Sequence, residues 1–220
     1  MIFSLTKKMK SFIKIFSLSL LLIYSCSTKL TNLDFAKEEI AAYYESGKYD
    51  MEVAGVISDA IKEFESVKVE DSTAVIFDVD ETALSNYETT KETDFGYVPE
   101  IWNRWIEEAR APAIKGVKNL YEFLAGKGIK IIFITGRKDF QYTPTFNNLY
   151  SAGYASFDTL IVRMHGEYNL GAVEFKSKKR EELTARGYKI AGTVGDQWSD
   201  LKGGYHGIQI KIPNYLYYIE

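Results

Sequence analysis

Residues 73–81 read TAVIFDVDE: five residues suited to the middle of a sheet run straight into Asp78, Asp80 and Glu81. Desolvating one carboxylate is costly, and crowding several raises the cost further. A buried strand that ends this way calls for something positive at its carboxyl end. The chain must therefore fold so that this end opens into a cleft with a cationic partner.

The rest of the sequence sets that strand in an alternating order. Helices are predicted over 33–46, stopped by Gly47, and over 50–65, where Val53, Val56, Ile57, Ala60, Ile61 and Phe64 fall at helical spacing. After the strand at 73–78 come helices at 99–109 and 113–126, the strand IKIIFIT at 129–135 and a helix at 142–152. The strand TLIVR at 159–163, a helix at 177–186 ended by Gly187, and the strands YKIAGTVGD (188–196) and GIQIKI (207–212) complete the order. Continuous apolar strands alternating with amphipathic helices predict a three-layer α/β fold, with a parallel sheet covered on both faces. With 220 residues, 46% of them hydrophobic, the chain can build one core and a small helical cap. One domain is expected over 33–220, with two N-terminal helices packed on it. In such sheets ligands bind beyond the carboxyl ends of the strands. Asp78 and Asp80 follow the first strand, Thr135-Gly136-Arg137 the second and Gly195-Asp196 the fourth.

The first residues have a different purpose. Lys7, Lys8, Lys10 and Lys14 precede the apolar run IFSLSLLLIY (15–24) and then Ser25-Cys26. This pattern is that of an export signal, too short for a comfortable membrane span; Met9-Lys10 makes an equally typical start. Cys26 is the single cysteine, so it forms no internal disulfide. Ile23-Tyr24-Ser25-Cys26 resembles a bacterial lipobox, in which the cysteine is lipidated and heads the mature chain. A free cysteine in a plain signal or anchor helix is the other reading, and both imply export. The expected division is a lipoprotein signal peptide at 1–25 and a polar tether at 26–32, ahead of the folded domain. Without residues 1–25 the chain keeps 23 basic against 30 acidic residues, a net charge of −7. No stripe of Lys and Arg interleaved with aromatics appears, which excludes a nucleic-acid-binding footprint.

G195-D-Q-W-S-D200 supplies a second pair of acids at a strand end. If the loop turns into a helix, Asp196 and Asp200 share one face; a helix cap at Asp196 with an exposed Asp200 is the other reading. Two unit charges about 4 Å apart at an effective dielectric near 20 repel by about 4 kcal/mol. Four clustered aspartates therefore need a cation, and a hard, oxygen-seeking ion such as magnesium suits them. Two histidines, His165 and His206, and a lone cysteine at a processing site argue against zinc.

FDVDETALSNY, ITGR, KSKKR and GDQWSDL together resemble the four ordered motifs of the haloacid dehalogenase (HAD) superfamily. Their wording is similar to its subfamily IIIB acid phosphatases, which include class C bacterial lipoprotein acid phosphatases and plant acid phosphatase and vegetative storage proteins. The resemblance spans about residues 36–218. It implies a Rossmann-like HAD core and a magnesium-dependent acid phosphatase acting on small phosphomonoesters through an aspartyl-phosphate. By the same resemblance Asp78 is the nucleophile and Asp80 the acid and base. Magnesium is held by Asp78, the backbone carbonyl of Asp80, Asp196 and Asp200. Thr135 donates to a phosphoryl oxygen and Lys176 sets a positive charge against nucleophile and phosphate. Lys176 is chosen over Lys178 and Lys179 because K-S-x-x-R maps onto Lys176, Ser177 and Arg180. Arg137 is either a phosphate contact or a surface ion pair.

Tyr97, Trp102 and Trp105 fall between the first two motifs, in a segment that commonly covers the site in this superfamily. An aromatic there, Trp105 among them, can stack on a nucleobase or simply pack in the core. The expected function is an exported phosphatase of the cell envelope, anchored through a lipid on Cys26. The alternatives are a phosphotransferase sharing the same intermediate, and a non-catalytic binding or storage protein on the same fold.

Overall fold

The computed structural model describes residues 30–220. The expectations for the signal segment, for Cys26 and for the tether up to residue 29 lie outside the described residues. A boundary between two units falls between Phe35 and Ala36, and Ala36–Glu220 make up the second. Asn32 Oδ1 accepts the Asp34 amide at 2.9 Å and opens helix α1 (Leu33–Glu45), a side-chain cap on an otherwise unpaired donor. No helix among the described residues is long and apolar enough to cross a membrane.

The second unit is built on strands β1 (Thr73–Phe77), β2 (Lys130–Lys138), β3 (Thr159–Arg163), β4 (Lys189–Gly195) and β5 (Ile208–Lys211). They form one sheet in the order β3-β2-β1-β4-β5, every pair parallel. The expected fold class is what the chain adopts. Successive side chains of β1 and β2 point to opposite faces. Val75, Phe77, Ile131 and Phe133 join the larger core with residues of α2 (Lys48–Glu65) and α5 (Lys115–Gly126). Ala74, Ile76, Ile132 and Ile134 meet Phe175 and Leu183 of α7 (Ala172–Ala185) on the other face.

Helix α2 buries Tyr49, Val53, Ile57, Ala60 and Phe64, a stripe at the i, i+4 spacing that its sequence predicts. Gly116 lets α5 approach this stripe, since a Cβ there would lie 2.7 Å from Val53 Cγ1. The segment between β1 and β2 adds α3 (Tyr87–Glu92) and α4 (Pro99–Glu108) before α5. Helix α6 (Tyr142–Ser151) follows β2.

Three elements differ from expectation. Helix α3 was unmarked, because its six residues YETTKE show no apolar stripe. Strand β2 runs on to Lys138, which pairs again with Arg163 after an irregularity beyond Ile134. Helix α7 begins at Ala172 instead of 177, and its buried face contains Lys176 and Arg180 beside Phe175 and Leu183. Charges on the inward side erase the periodicity that would mark its start.

Adding a methyl at Gly116 tests the α2–α5 contact. Gly116→Ala gains about 1 kcal/mol of helix propensity, but overpacking costs roughly 1–3 kcal/mol. The expected net result is a loss of about 1 kcal/mol, read as a lower denaturation midpoint at unchanged m-value. A raised midpoint would mean that the helices have room to spare.

Candidate active site

Asp78 continues β1 by one step, its amide donating to Val194 O at 2.9 Å. This fixes its backbone beside β4, and the Asp78 side chain lies at the floor of a cavity of about 550 Å³. Across from it, Lys176 Nζ reaches out of α7 and donates to Asp78 Oδ1 at 2.6 Å and to Asp200 Oδ1 at 2.5 Å. Burial works against the Lys176 charge, but Asp200 and Asp78 outweigh it and hold the ammonium protonated, above its usual range.

Asp196 and Asp200 are both buried, at 1% and 3% exposure, so the reading with an exposed Asp200 is set aside. They converge without sharing a helical face. Asp196 precedes the single turn α8 (Trp198–Leu201), and Asp200 folds back so that Oδ2 accepts the Gln197 amide at 2.8 Å. Gly195 makes room for this, because any Cβ there would sit 2.4 Å from Asp200 Cβ. Arg180 pins the turn from below, donating to Asp200 O at 2.6 Å and Gly204 O at 2.9 Å. Asp196 in turn accepts from Thr82 Oγ1 (2.9 Å), Gln197 Nε2 (2.7 Å) and Asn214 Nδ2 (2.7 Å).

Carboxylate oxygens of Asp78, Asp196 and Asp200 lie within 4.8 Å of one another. Burial first, and then the neighbouring Asp200, pushes Asp196 up to about 6. Burial, partly offset by Lys176, raises Asp78 well above the ordinary carboxylate range. Ionised together, three carboxylates against one ammonium leave a deficit of two positive charges, which a divalent cation could supply. Ser199 lines the same cavity, and its Oγ is buried without a hydrogen-bond partner. An orphaned hydroxyl beside three carboxylates fits a hydrated, oxygen-ligated ion.

Asp80 turns its side chain away from this cluster. Its carboxylate accepts from Arg137 Nη2 at 2.7 Å and Nε at 3.1 Å, and from Asn86 Nδ2 at 3.0 Å. Arg137 is therefore no surface ion pair: it is 3% exposed, bound to Asp80, and lines the same cavity. Thr135 is buried at the end of the apolar part of β2, and its Oγ1 accepts the Arg137 amide at 3.2 Å. Trp105 needs correction as a substrate contact. It is buried and donates from Nε1 to Asn86 Oδ1 at 2.8 Å, whereas Tyr97, Trp102, Tyr217 and Tyr218 line the cavity. The helical face containing Trp105 and Ile106 packs inward.

Several functional neighbours were not singled out from sequence. Glu81 is buried in a left-handed backbone conformation (φ 52°) and accepts from Asn86 and from Tyr217 Oη at 2.9 Å. Burial, then the charge of Asp80, pushes it up to about 8. Tyr217 and Asn214 arrive from the C-terminal segment, which is tied down where Gln197 Oε1 accepts the Ile219 amide at 3.0 Å. In the sequence this segment, NYLYYIE (214–220), stands out only by its aromatics.

Residues 25–220 match the family described as "HAD superfamily, subfamily IIIB (Acid phosphatase)". The chain is 33% identical over 192 residues to "Acid phosphatase 1" of Solanum lycopersicum, covering 84% of this chain and 74% of that protein. It is 37% identical over 151 residues to "Stem 28 kDa glycoprotein" of Glycine max, covering 66% and 59%. Among solved structures it resembles the class C acid phosphatase from Bacillus anthracis with tungstate bound, at a TM-score of 0.68 and 23% identity over 83% of this chain and 86% of that one. That likeness bears on the fold. The chain belongs to subfamily IIIB of the HAD superfamily, the acid phosphatases.

Two outcomes follow from the geometry. Asn214→Ala removes one donor to Asp196 and should weaken divalent-ion affinity about 10–100-fold, as loss of an outer-shell partner does; calorimetric titration reads this directly. In chelator, Asp196 is raised from 3.8 to about 6. The folded protein then keeps a proton that the unfolded chain has lost, so this stability is full below pH 3.8 and is lost as pH rises through 6. With chelator present, Tm should fall across that window more steeply in wild type than in Asp196→Asn. Equal slopes would contradict the assignment.

Proposed function

We propose that this protein is an exported, magnesium-dependent acid phosphatase that hydrolyses small phosphomonoesters through an aspartyl-phosphate on Asp78. One observation supports this most: Lys176 bridges Asp78 and Asp200, and Asp196 completes a buried carboxylate triad with a charge deficit of two. Asp78, Asp196 and Asp200, with the backbone carbonyl of Asp80, would hold the ion. The chemistry supplied by bound magnesium is neutralisation of phosphoryl charge as the anionic nucleophile approaches.

The chain's own residues divide the remaining work. A carboxylate oxygen of Asp78 attacks phosphorus, the bond from phosphorus to the leaving oxygen breaks, and Asp80 gives that oxygen a proton. Asp80 then takes a proton from the water that attacks the aspartyl-phosphate, which releases inorganic phosphate and restores the Asp78 carboxylate. Lys176 stabilises the charge that grows on the phosphoryl oxygens. Thr135, fully buried beside the cavity-lining Gly136, would offer its hydroxyl proton to one of them. Export through residues 1–25 and a lipid on Cys26 would set the enzyme on the cell envelope, and no nucleic-acid partner is proposed.

The aromatic cavity wall supports a preference for substrates that carry a nucleobase, with Tyr97, Trp102 and Tyr217 as candidates for stacking on it. A higher kcat/KM for nucleoside monophosphates than for p-nitrophenyl phosphate is expected, and equal values would remove this preference. Asp78→Asn tests the mechanism itself. It should lower p-nitrophenyl phosphate turnover at least about 10³-fold, and chelator should abolish wild-type turnover until magnesium is restored. A mutant with normal turnover contradicts the nucleophile.

A further inference from the structure

We infer that Arg137 and Asn86 are positioning residues for Asp80, and that Arg137 does not bind the transferred phosphoryl group. This rests on reading Asp80 as the proton donor to the leaving oxygen. The guanidinium is committed on three sides: Nη2 and Nε donate to Asp80, and Nη1 donates to Thr145 Oγ1 at 3.1 Å. Both residues line the cavity, but the Arg137 side chain is only 2% exposed against 16% for that of Asp80. The planar fork locks both carboxylate oxygens in one orientation, which a lysine's point charge cannot do.

Asn86 holds the same carboxylate from the opposite direction. The indole of Trp105 is a donor only, so the Asn86 atom facing it must be Oδ1. That orientation leaves both Nδ2 hydrogens for acids, one to Asp80 Oδ1 at 3.0 Å and one to Glu81 Oε2 at 2.9 Å. Asn86 is fully buried, and its amide nitrogen is bound by Glu81 as well. Trp105, expected from sequence to meet substrate, instead fixes the residue that fixes Asp80. A carboxyl with two free torsions must face a departing oxygen at one place and one angle, and these contacts remove that freedom.

Proton donation matters most when the leaving group is a poor one. The test therefore compares kcat/KM, which covers the steps through leaving-group departure, for p-nitrophenyl phosphate and for ethyl phosphate. In Arg137→Met the ethyl phosphate value should fall at least 30-fold further than the p-nitrophenyl value, with inhibition by inorganic phosphate unchanged within twofold. Arg137→Lys should recover part of the charge but little of the split. Thr145→Val, which removes the Nη1 acceptor with little change of volume, should show the same split at about 3–10-fold and serves if Arg137→Met does not fold. Equal losses on both substrates together with weakened phosphate inhibition would make Arg137 a phosphoryl ligand and overturn the inference alone. A wild-type protein inactive on both substrates would overturn the phosphatase reading and this inference with it.

Discussion

A single buried ammonium faces more negative charge than it can balance. Lys176 touches Asp78 and Asp200 directly, and Asp196 stands within the same cluster. Burying ions costs several kcal/mol apiece unless geometry and hydrogen bonds repay it. The surrounding structure can be read as the means of tolerating this cluster. Thr82, Gln197 and Asn214 saturate Asp196, the Gln197 amide saturates Asp200, and Arg180 fastens the turn beneath them. What hydrogen bonds leave uncompensated is two units of charge, and that remainder defines the ligand.

The fold supplies the convergence. Strand β1 lies at the centre of the sheet, with β2 on one side and β4 on the other. The chain leaves β1 towards β2 and leaves β4 towards β5, in opposite directions along the sheet, so a crevice opens at the carboxyl ends of β1 and β4. Asp78 and Asp196 flank that crevice, α7 brings Lys176 over it, and the C-terminal segment brings Tyr217 and Asn214 from a third direction. Asp80, held by Arg137, stands apart from the triad. The cavity thus holds two distinct groups, a buried carboxylate triad that could take an ion and an Asp80–Arg137 pair beside it.

Sequence made the sheet legible, because strands buried on both faces are written as unbroken apolar runs such as AVIF and IIFIT. It also made legible the three aspartates that converge in one cluster, because strand ends fix where side chains can go. It was less informative where burial and polarity conflict. The start of α7 was hidden by Lys176 and Arg180 on its inward side. Helix α3 was hidden by a lack of apolar residues. Asn86, Thr82 and Asn214 look like ordinary loop residues until their long-range partners are known, since hydrogen bonds across 18 to 114 residues leave no local pattern. Trp105 was misplaced for a related reason: its spacing is equally compatible with a cavity wall and a core, and only the Asn86 contact decides between them.

The claim that the Asp78, Asp196 and Asp200 carboxylates form one ion site is tested most directly by diffraction from crystals grown with manganese as a divalent probe. The account predicts one strong anomalous peak bounded by those three side chains, absent in Asp196→Asn. Ordered protein with no peak there, or a peak that persists unchanged in the variant, would contradict it.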